Sequence, residues 1–202
     1  AVDGLKTSMG LPEVLLGVLP GGGGTQRLPA LTGVLNTLDM ALTGKTVNAK
    51  KAKKLGLVDA VVDPLGPGLE AQDVNTHKYL ETIAINTAKQ LGDGAMKLPS
   101  RAPKNFTQKA TNAAFGVSQV KDYVFGEAKK KVLKQTNGLY PAPLKIMEAV
   151  RAGLDSGKEG GYKAEREKFG ELVATSESKG LISLFHGQTE CKKNKFGKPA
   201  NP

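Results

Sequence analysis

The stretch MGLPEVLLGVLPGGGGTQRLP, from Met9 to Pro29, places one carboxylate, Glu13, inside an apolar run that ends in four consecutive glycines. Three interpretations are open from these residues: a catalytic edge, a cradle for phosphate, or a strand followed by a turn. The residues on either side of the acid and the composition of the rest of the chain bear on the choice.

The surroundings of Glu13 are those of a carboxylate partly removed from water. Pro12 biases Leu11 toward an extended backbone, and the residues after the acid are almost all aliphatic. Such an acid can exchange protons near neutral pH and is a candidate catalytic residue. The alternative is a glutamate at a strand edge that points into water.

The glycine run from Gly21 to Gly24 has neither the spacing of a dinucleotide fingerprint nor the Lys-Ser/Thr of a P-loop. A tight turn into a helix is therefore favoured over a phosphate cradle. Glycine lets the backbone approach a ligand closely, so Gly21, Gly22 and Gly23 are candidate substrate-binding residues. The same pattern predicts free amide groups at the start of the helix, around Thr25.

The charge of the chain favours an anionic partner, because 29 Lys and Arg residues outnumber 19 acids and give a net charge of +10. Aromatic residues make up 5% and Trp is absent, which disfavours nucleic acid as a partner. Phosphate or an anionic membrane is one interpretation of the lysine clusters, and a solvated charged face is the favoured one. The clusters are Lys50, Lys51, Lys53 and Lys54; Lys129 to Lys131; and Lys192, Lys193 and Lys195.

Three further residues have side chains that could take part in catalysis or bind a metal. The single cysteine, Cys191, excludes an internal disulfide framework and fits a reducing compartment. His77 and His186 lie far apart and have no ligand at metal-binding spacing, so the sequence predicts no metal site. No apolar run approaches the roughly 20 residues that span a bilayer.

Apolar spacing predicts a helix over Leu31, Val34, Leu35, Leu38, Ala41 and Leu42 that ends at Gly44. Asn48 is predicted to cap a short helix, AKKAKKL, that Gly56 ends, and Leu57–Val62 reads as a buried strand. A loop is expected from Pro64 to Asn75 and a second exposed loop over residues 93–106. The remaining predicted helices run from a cap at Thr76 to Gly92, from Thr111 to Thr136, from Pro143, and from Lys158 to Glu190.

Several motifs occur in one order: GLPEVLLGVLPGGGGTQRLP, then LTGKTVNAKKAKKLGLVDAVVDPLGPG, then GLYPAPLKIMEAV. Together they resemble the enoyl-CoA hydratase, or crotonase, superfamily. GLYPAPLKI, KFGELVATSESKGLISLFHGQ and CKKNKFGKP are most similar to alpha subunits of mitochondrial trifunctional β-oxidation enzymes, in the stretch before their dehydrogenase domain. The resemblance covers nearly the whole chain, most loosely from Gln72 to Thr136.

The resemblance implies that Glu13 is one of two carboxylates that add water to a trans-2-enoyl-CoA. The other glutamate and both oxyanion-hole amides of the family precede this motif, and no counterpart stands in the ten residues before Leu11. We therefore expect a fragment that is inactive alone. No cofactor is expected in this segment, because acyl-CoA is the substrate and NAD belongs to a domain beyond Pro202. Gly22 stands where relatives commonly have Ala.

The predicted fold is α/β: residues 1–63 form the second half of a crotonase-type spiral core, 64–136 the C-terminal helices of the hydratase domain, and 137–202 linker helices toward the dehydrogenase domain. The expected partners are acyl-CoA, a thiolase-type beta subunit and anionic inner-membrane lipid, in the mitochondrial matrix. The parent is expected to hydrate long-chain enoyl-CoA and to dehydrogenate 3-hydroxyacyl-CoA. The alternatives are an enoyl-CoA isomerase and a non-catalytic basic helical module.

Overall fold

The computed structural model describes residues 1–4, 7–66, 68, 70–97, 110–111, 113–193 and 197. This part of the chain is mostly helical, with one small antiparallel sheet of two strands in which Met9 lies opposite Val47. A 3-10 helix, Pro12–Leu16, follows the first strand directly. The strands are β1 (Met9–Gly10) and β2 (Thr46–Val47); the helices are α1 (Gly24–Thr32), α2 (Val34–Thr43), α3 (Ala49–Leu55), α4 (Gln72–Gly92), α5 (Ser118–Thr136), α6 (Ala142–Val173) and α7 (Ser176–Lys192).

Among these described helices, none is both long enough and apolar enough to cross a lipid bilayer.

The helix predicted from Leu31 is in fact two helices. Gly33, with φ +83°, separates α1 from α2, so Leu31 lies on the first and the second begins at Val34. The predicted apolar stripe fails at Leu35, which is 54% exposed, because α2 buries the face that carries Val34, Thr37, Leu38 and Ala41. The predicted end at Gly44 is confirmed, since this residue caps α2 in the left-handed conformation.

The short helix α3 confirms the prediction made from local chemistry. Asn48 Oδ1 accepts a hydrogen bond from the Lys51 amide at 2.9 Å, and Gly56 ends the helix with φ +84°. A side chain at Gly56 would meet the Leu31 carbonyl oxygen at 2.9 Å. Gly56 is therefore required both by its backbone conformation and by the close packing of α3 on α1.

The buried strand predicted over Leu57–Val62 is wrong. Only Val62 forms a bridge, parallel to Val2, through hydrogen bonds between Val62 and the backbone of Ala1 and Asp3. The Ala1 amine also donates to the Ala60 carbonyl at 2.9 Å, but residues 57–61 form no ladder with the described backbone, and Asp59 and Ala60 are exposed.

The cap predicted at Thr76 is also wrong, because α4 begins four residues earlier. Thr76 is buried inside the helix, where its hydroxyl donates to the Gln72 carbonyl at 2.6 Å and accepts from the Leu65 amide at 3.1 Å. The end at Gly92 is confirmed. Residues 93–97 are exposed as predicted for the following loop, and residues 98–106 of that loop lie outside the described residues.

The C-terminal helices differ from the predicted ones in where they break. Residues 110, 111, 113 and 114 are helical, in line with the predicted start at Thr111, but a turn at residues 115–117 separates them from α5, which begins at Ser118. Pro143 stands in the first turn of α6 as predicted. The long helix expected from Lys158 to Glu190 is interrupted near Ala174, where Thr175 caps α7. Gly157, with φ +70° and ψ −170°, kinks α6 just before that predicted start.

The main hydrophobic core lies around the first half of α6. Ile146 and Leu19 are fully buried, and Leu172 from the second half of α6 is 1% exposed. Helices α1, α2 and α5 pack on α6, so this helix joins the Glu13 end of the chain to the C-terminal part. Each of these large side chains contributes roughly 1.5–3 kcal/mol by leaving water. The division into three domains stays a prediction.

Candidate active site at the Glu13 segment

Glu13 lies on the 3-10 helix and not at the edge of a strand, so the strand-edge alternative is wrong. Pro12 occupies the start of this helix, a position that suits its fixed φ and missing amide hydrogen. Gly17 ends it with φ +69°, and the Gly17 amide donates to the Val14 carbonyl at 3.0 Å. The Val18 amide reaches the Glu13 carbonyl at 3.3 Å, which fixes the backbone of the acid.

The carboxylate of Glu13 has an oxygen that is buried without a partner. Its Oε2 atom is out of contact with solvent and makes no hydrogen bond to any described residue. The neighbouring Val14 and Leu16 pack against the main core. A buried polar atom without a partner costs roughly 1–3 kcal/mol, more if it is charged, so native proteins keep one mainly where function requires it. The catalytic role of Glu13 stays a prediction that this geometry favours.

Steric constraints explain why glycine occupies two of the three candidate substrate-binding positions in the glycine turn. A Cβ atom at Gly21 would lie 2.7 Å from the ring of Phe169, and Gly23 has φ +88°. At Gly22, by contrast, a Cβ atom would meet nothing within 4 Å. The side chain of Arg27 folds back over this turn and donates to the Gly22 carbonyl. Substrate binding by these glycines stays a prediction.

The amides at the start of α1 are not free, contrary to the expectation from sequence. The Gly23 amide donates to Oε1 of Glu165 at 2.6 Å, and the Thr25 amide donates to Oε2 at 3.1 Å. The Thr25 hydroxyl also donates to Oε2. A carboxylate from α6, 140 residues away in sequence, therefore satisfies the orphan donors of this helix.

Glu165 is 1% exposed, which is unusual for a glutamate. A buried carboxylate is costly unless hydrogen bonds and an opposite charge compensate for lost hydration. Here the positive end of the α1 dipole and the donors from Gly23 and Thr25 supply both. Sequence reasoning missed this residue, because AEREKFG reads as a solvated helix face and no local pattern links it to the glycine turn.

A cleft of about 720 Å³ opens beside the glycine turn, between α1 and the kinked part of α6. Its lining combines cationic and apolar groups, and Glu13 is not among them. Gln26 stands on one wall and donates to the Ala149 carbonyl at 2.9 Å, which joins the two helices. The lining includes Arg27, Leu31, Phe115, Leu154, Lys158 and Tyr162.

The described lysines of the three clusters are exposed and partly paired with acids. Lys50 contacts Asp3 at 2.6 Å, and this hydrogen bond raises the lysine pKa. Lys130 is paired with Glu127 in the same way, which raises its pKa, and Lys193 bonds Glu190. Such pairing is typical of a solvated charged face. Lys195 lies outside the described residues.

The cysteine and the two histidines all lie at exposed positions. Cys191 is a free, exposed thiol on α7, and both His77 and His186 lie on exposed positions of helices. Within the described part of the chain, no three His, Cys, Asp or Glu residues come together as metal ligands would.

Helices α5 and α6 are joined by a network of charged side chains. Lys121, with an 11% exposed side chain, is bonded to Asp155, which Arg151 also contacts at 3.0 Å. Hydrogen bonds from Lys121 first and Arg151 second lower the pKa of the Asp155 carboxyl. Arg151 pairs with Asp122 at 2.7 Å and lies over the Phe125 ring, 5.8 Å from its centre.

Comparison with known proteins gives matches along the whole chain. The model of the enoyl-CoA hydratase/isomerase family matches residues 2–132. Fatty acid oxidation complex subunit alpha of Shewanella amazonensis is 42% identical over 202 residues, which are 99% of this chain and 26% of that protein. The protein of the same name from Vibrio parahaemolyticus is 43% identical over 197 residues, 98% of this chain and 25% of that protein.

The chain thus spans about a quarter of the length of these relatives. The family match includes the PEVLLG motif with Glu13, the glycine turn and helices α1 to α4, and it confirms the resemblance read from the sequence motifs. The chain belongs to the enoyl-CoA hydratase/isomerase family.

Proposed function

We propose that this chain is the part of a fatty-acid oxidation alpha subunit that supplies one of the two acids of an enoyl-CoA hydratase site. The observation that carries the proposal is the buried, unpartnered Oε2 of Glu13, held on a rigid turn within the family's motif. A carboxylate that no other group satisfies is available to a water molecule or a substrate proton.

The proposed reaction adds water across the double bond of a trans-2-enoyl-CoA. The water oxygen bonds to the β-carbon, one water proton leaves to a carboxylate, and a carboxylic acid supplies a proton to the α-carbon. Glu13 performs one of these two proton transfers. The second acid, and the amides that hold the thioester oxyanion, come from the segment that precedes the PEVLLG motif in the family.

The glycine turn is proposed to let the substrate approach the backbone. Gly22 is the position of the three with open space beside it, so we propose that the acyl-CoA passes the turn there. Gly21 packs against the ring of Phe169, and the Gly23 amide donates to Glu165. These two contacts hold the turn in place beside Gly22.

For the whole protein we propose the α/β spiral core, the three-part domain division and a following NAD-dependent dehydrogenase domain. The name of the relatives supports an acyl-CoA substrate and a complex with a further subunit, which we propose to be of the thiolase type. Long-chain substrates, a mitochondrial matrix location and contact with anionic lipid rest on the similarity of GLYPAPLKI and CKKNKFGKP to mitochondrial enzymes. The relatives compared above are bacterial.

An enoyl-CoA isomerase is the second candidate, because the matching family includes both activities by its description. The two are separated by product analysis on the full-length protein. A hydratase converts trans-2-enoyl-CoA to 3-hydroxyacyl-CoA and removes the absorbance of the conjugated double bond. An isomerase instead creates that absorbance from a 3-enoyl-CoA. We expect the wild-type protein to hydrate trans-2-enoyl-CoA and the Glu13→Gln variant to lose this activity. Isomerisation of 3-enoyl-CoA without hydration would reject the hydratase proposal.

A further inference from the structure

Two buried side chains from the C-terminal helices bind backbone groups at two points of the segment that carries Glu13, and both points follow Glu13 in the sequence. We define the Glu13 segment as residues 12–25, from the 3-10 helix through the glycine turn to the start of α1. At one point the Ser178 hydroxyl donates to the Leu16 carbonyl at 3.1 Å. At the other, the Glu165 carboxylate accepts from the amides of Gly23 and Thr25.

Ser178 is itself held rigidly. Its side chain is fully buried, and its amide donates to the hydroxyl of Thr175, the cap of α7, at 3.2 Å. The first turn of α7 touches the Glu13 segment so closely that a Cβ atom at Gly17 would lie 2.9 Å from the Ser178 Cα atom. Ser178 is therefore fixed against the residue that ends the 3-10 helix of Glu13.

The residues between the two attachment points are buried, so the backbone that connects these points is also held in place. Val18 is 8% exposed, and Leu19 and Pro20 are fully buried. A 3-10 helix of five residues has little stability of its own, so its position depends on what packs against it. The described residues give Oε2 of Glu13 no hydrogen bond, so its position is set through the backbone.

We infer that Ser178 and Glu165 are positioning residues for Glu13. They hold the Glu13 segment from α7 and α6, and neither touches the substrate. This inference rests on the proposed function, because it assigns Ser178 and Glu165 to the hydratase reaction. A displacement of about 1 Å in a catalytic group costs on the order of a hundredfold in rate, so loss of either attachment lowers turnover.

The test uses the full-length protein and pairs of variants on the same helices. Ser178→Ala removes the hydroxyl that binds Leu16, and Ser176→Ala, two residues away, removes one that donates to the exposed Glu177 carboxylate. Glu165→Gln and Glu167→Gln form the second pair, since Glu167 is 61% exposed. We expect Ser178→Ala and Glu165→Gln to lower kcat about tenfold to a hundredfold, with KM changed less than about threefold. Both controls keep wild-type kcat.

A second measurement separates positioning from simple loss of folded protein. The binding stoichiometry of a saturated acyl-CoA, which cannot be hydrated, counts the intact sites in each preparation. Positioning predicts that the stoichiometry stays at the wild-type value while kcat falls. A stoichiometry that falls in proportion to kcat, or a kcat equal to that of the controls, would overturn the inference.

Glu13→Gln, assayed in parallel, distinguishes failure of the inference from failure of the proposed function. If Glu13→Gln loses turnover while Ser178→Ala and Glu165→Gln keep it, the positioning inference alone is wrong. If Glu13→Gln hydrates at the wild-type rate, the proposed function is wrong and the positioning roles fall with it.

Discussion

Replacing Glu165 by Gln tests how much the buried carboxylate stabilises the packing of α6 on the glycine turn. Gln keeps the size of the side chain but presents one acceptor oxygen and one amino group. The carboxylate now accepts from the Gly23 amide, the Thr25 amide and the Thr25 hydroxyl. In the Gln variant, an amino group replaces one of the two oxygens that accept these hydrogen bonds. This amino group then faces the donors of Gly23 or Thr25 and cannot accept from them.

The expected loss of stability follows from these contacts. One charge-assisted hydrogen bond contributes about 1.5–3 kcal/mol, and a negative charge at a helix N-terminus contributes about 0.3–1 kcal/mol. The total is about 3 kcal/mol, which corresponds to a melting temperature lower by about 6–12 °C for a chain of this length. Urea unfolding of the chain, followed by helical circular dichroism, measures the change.

Glu167→Gln is the matched control, because Glu167 is 61% exposed and lies 4.0 Å from its partner Lys163. We expect a change under about 0.5 kcal/mol for this variant. If Glu165→Gln destabilised the chain no more than Glu167→Gln does, the bonds from Glu165 would contribute nothing to folding. The glycine turn would then be held in place by contacts other than those of Glu165.

Three further changes probe the fold. Asn48→Ala removes the cap of α3 and is expected to cost about 1 kcal/mol in urea unfolding; an unchanged midpoint would show that the cap is not needed. Leu19→Ala empties a fully buried site and is expected to cost about 2–5 kcal/mol, whereas a loss below about 1 kcal/mol would contradict its place in the core. Because Lys121 lowers the pKa of Asp155 in the folded chain, the stability from this pair is complete above about pH 4 and is lost as the pH falls through the lowered pKa. Asp155→Asn should remove that part of the acid dependence, about 1 kcal/mol given the 37% exposure of Asp155, and an unchanged pH dependence of unfolding would contradict the assignment.

Local chemistry allowed accurate predictions where the determining contacts are near in sequence. Asn48 and Gly56 bound α3 as predicted, because the capping hydrogen bond and the left-handed turn each involve residues of the helix itself. Gly44 ends α2 in the same left-handed conformation, and α4 ends at Gly92 as predicted. The catalytic role that the PEVLLG motif assigns to Glu13 stays a prediction, which the unpartnered Oε2 atom of that residue favours.

The failed predictions depend on distant residues or on backbone breaks. A strand over Leu57–Val62 depends on pairing with a distant part of the chain, and the described residues bridge this segment only at Val62. The apolar pattern from Lys158 to Glu190 gave no sign of the break near Ala174 that separates α6 from α7. Glu165 looks like a surface residue in sequence, and only the fold brings it to α1. Hydrogen bonds across 140 residues leave no periodic trace in a single sequence.

We propose that Glu13 takes part in the chemistry of hydration, and one variant of the full-length protein tests this role. Glu13→Gln keeps the shape of the side chain and removes its ability to exchange a proton. Two rates are measured on the same preparation: hydration of a trans-2-enoyl-CoA and oxidation of a supplied 3-hydroxyacyl-CoA with NAD. We predict that hydration falls by at least about a hundredfold while oxidation keeps its wild-type rate. Hydration at a near-normal rate would contradict the catalytic assignment, and parallel loss of both rates would indicate misfolding in place of lost chemistry.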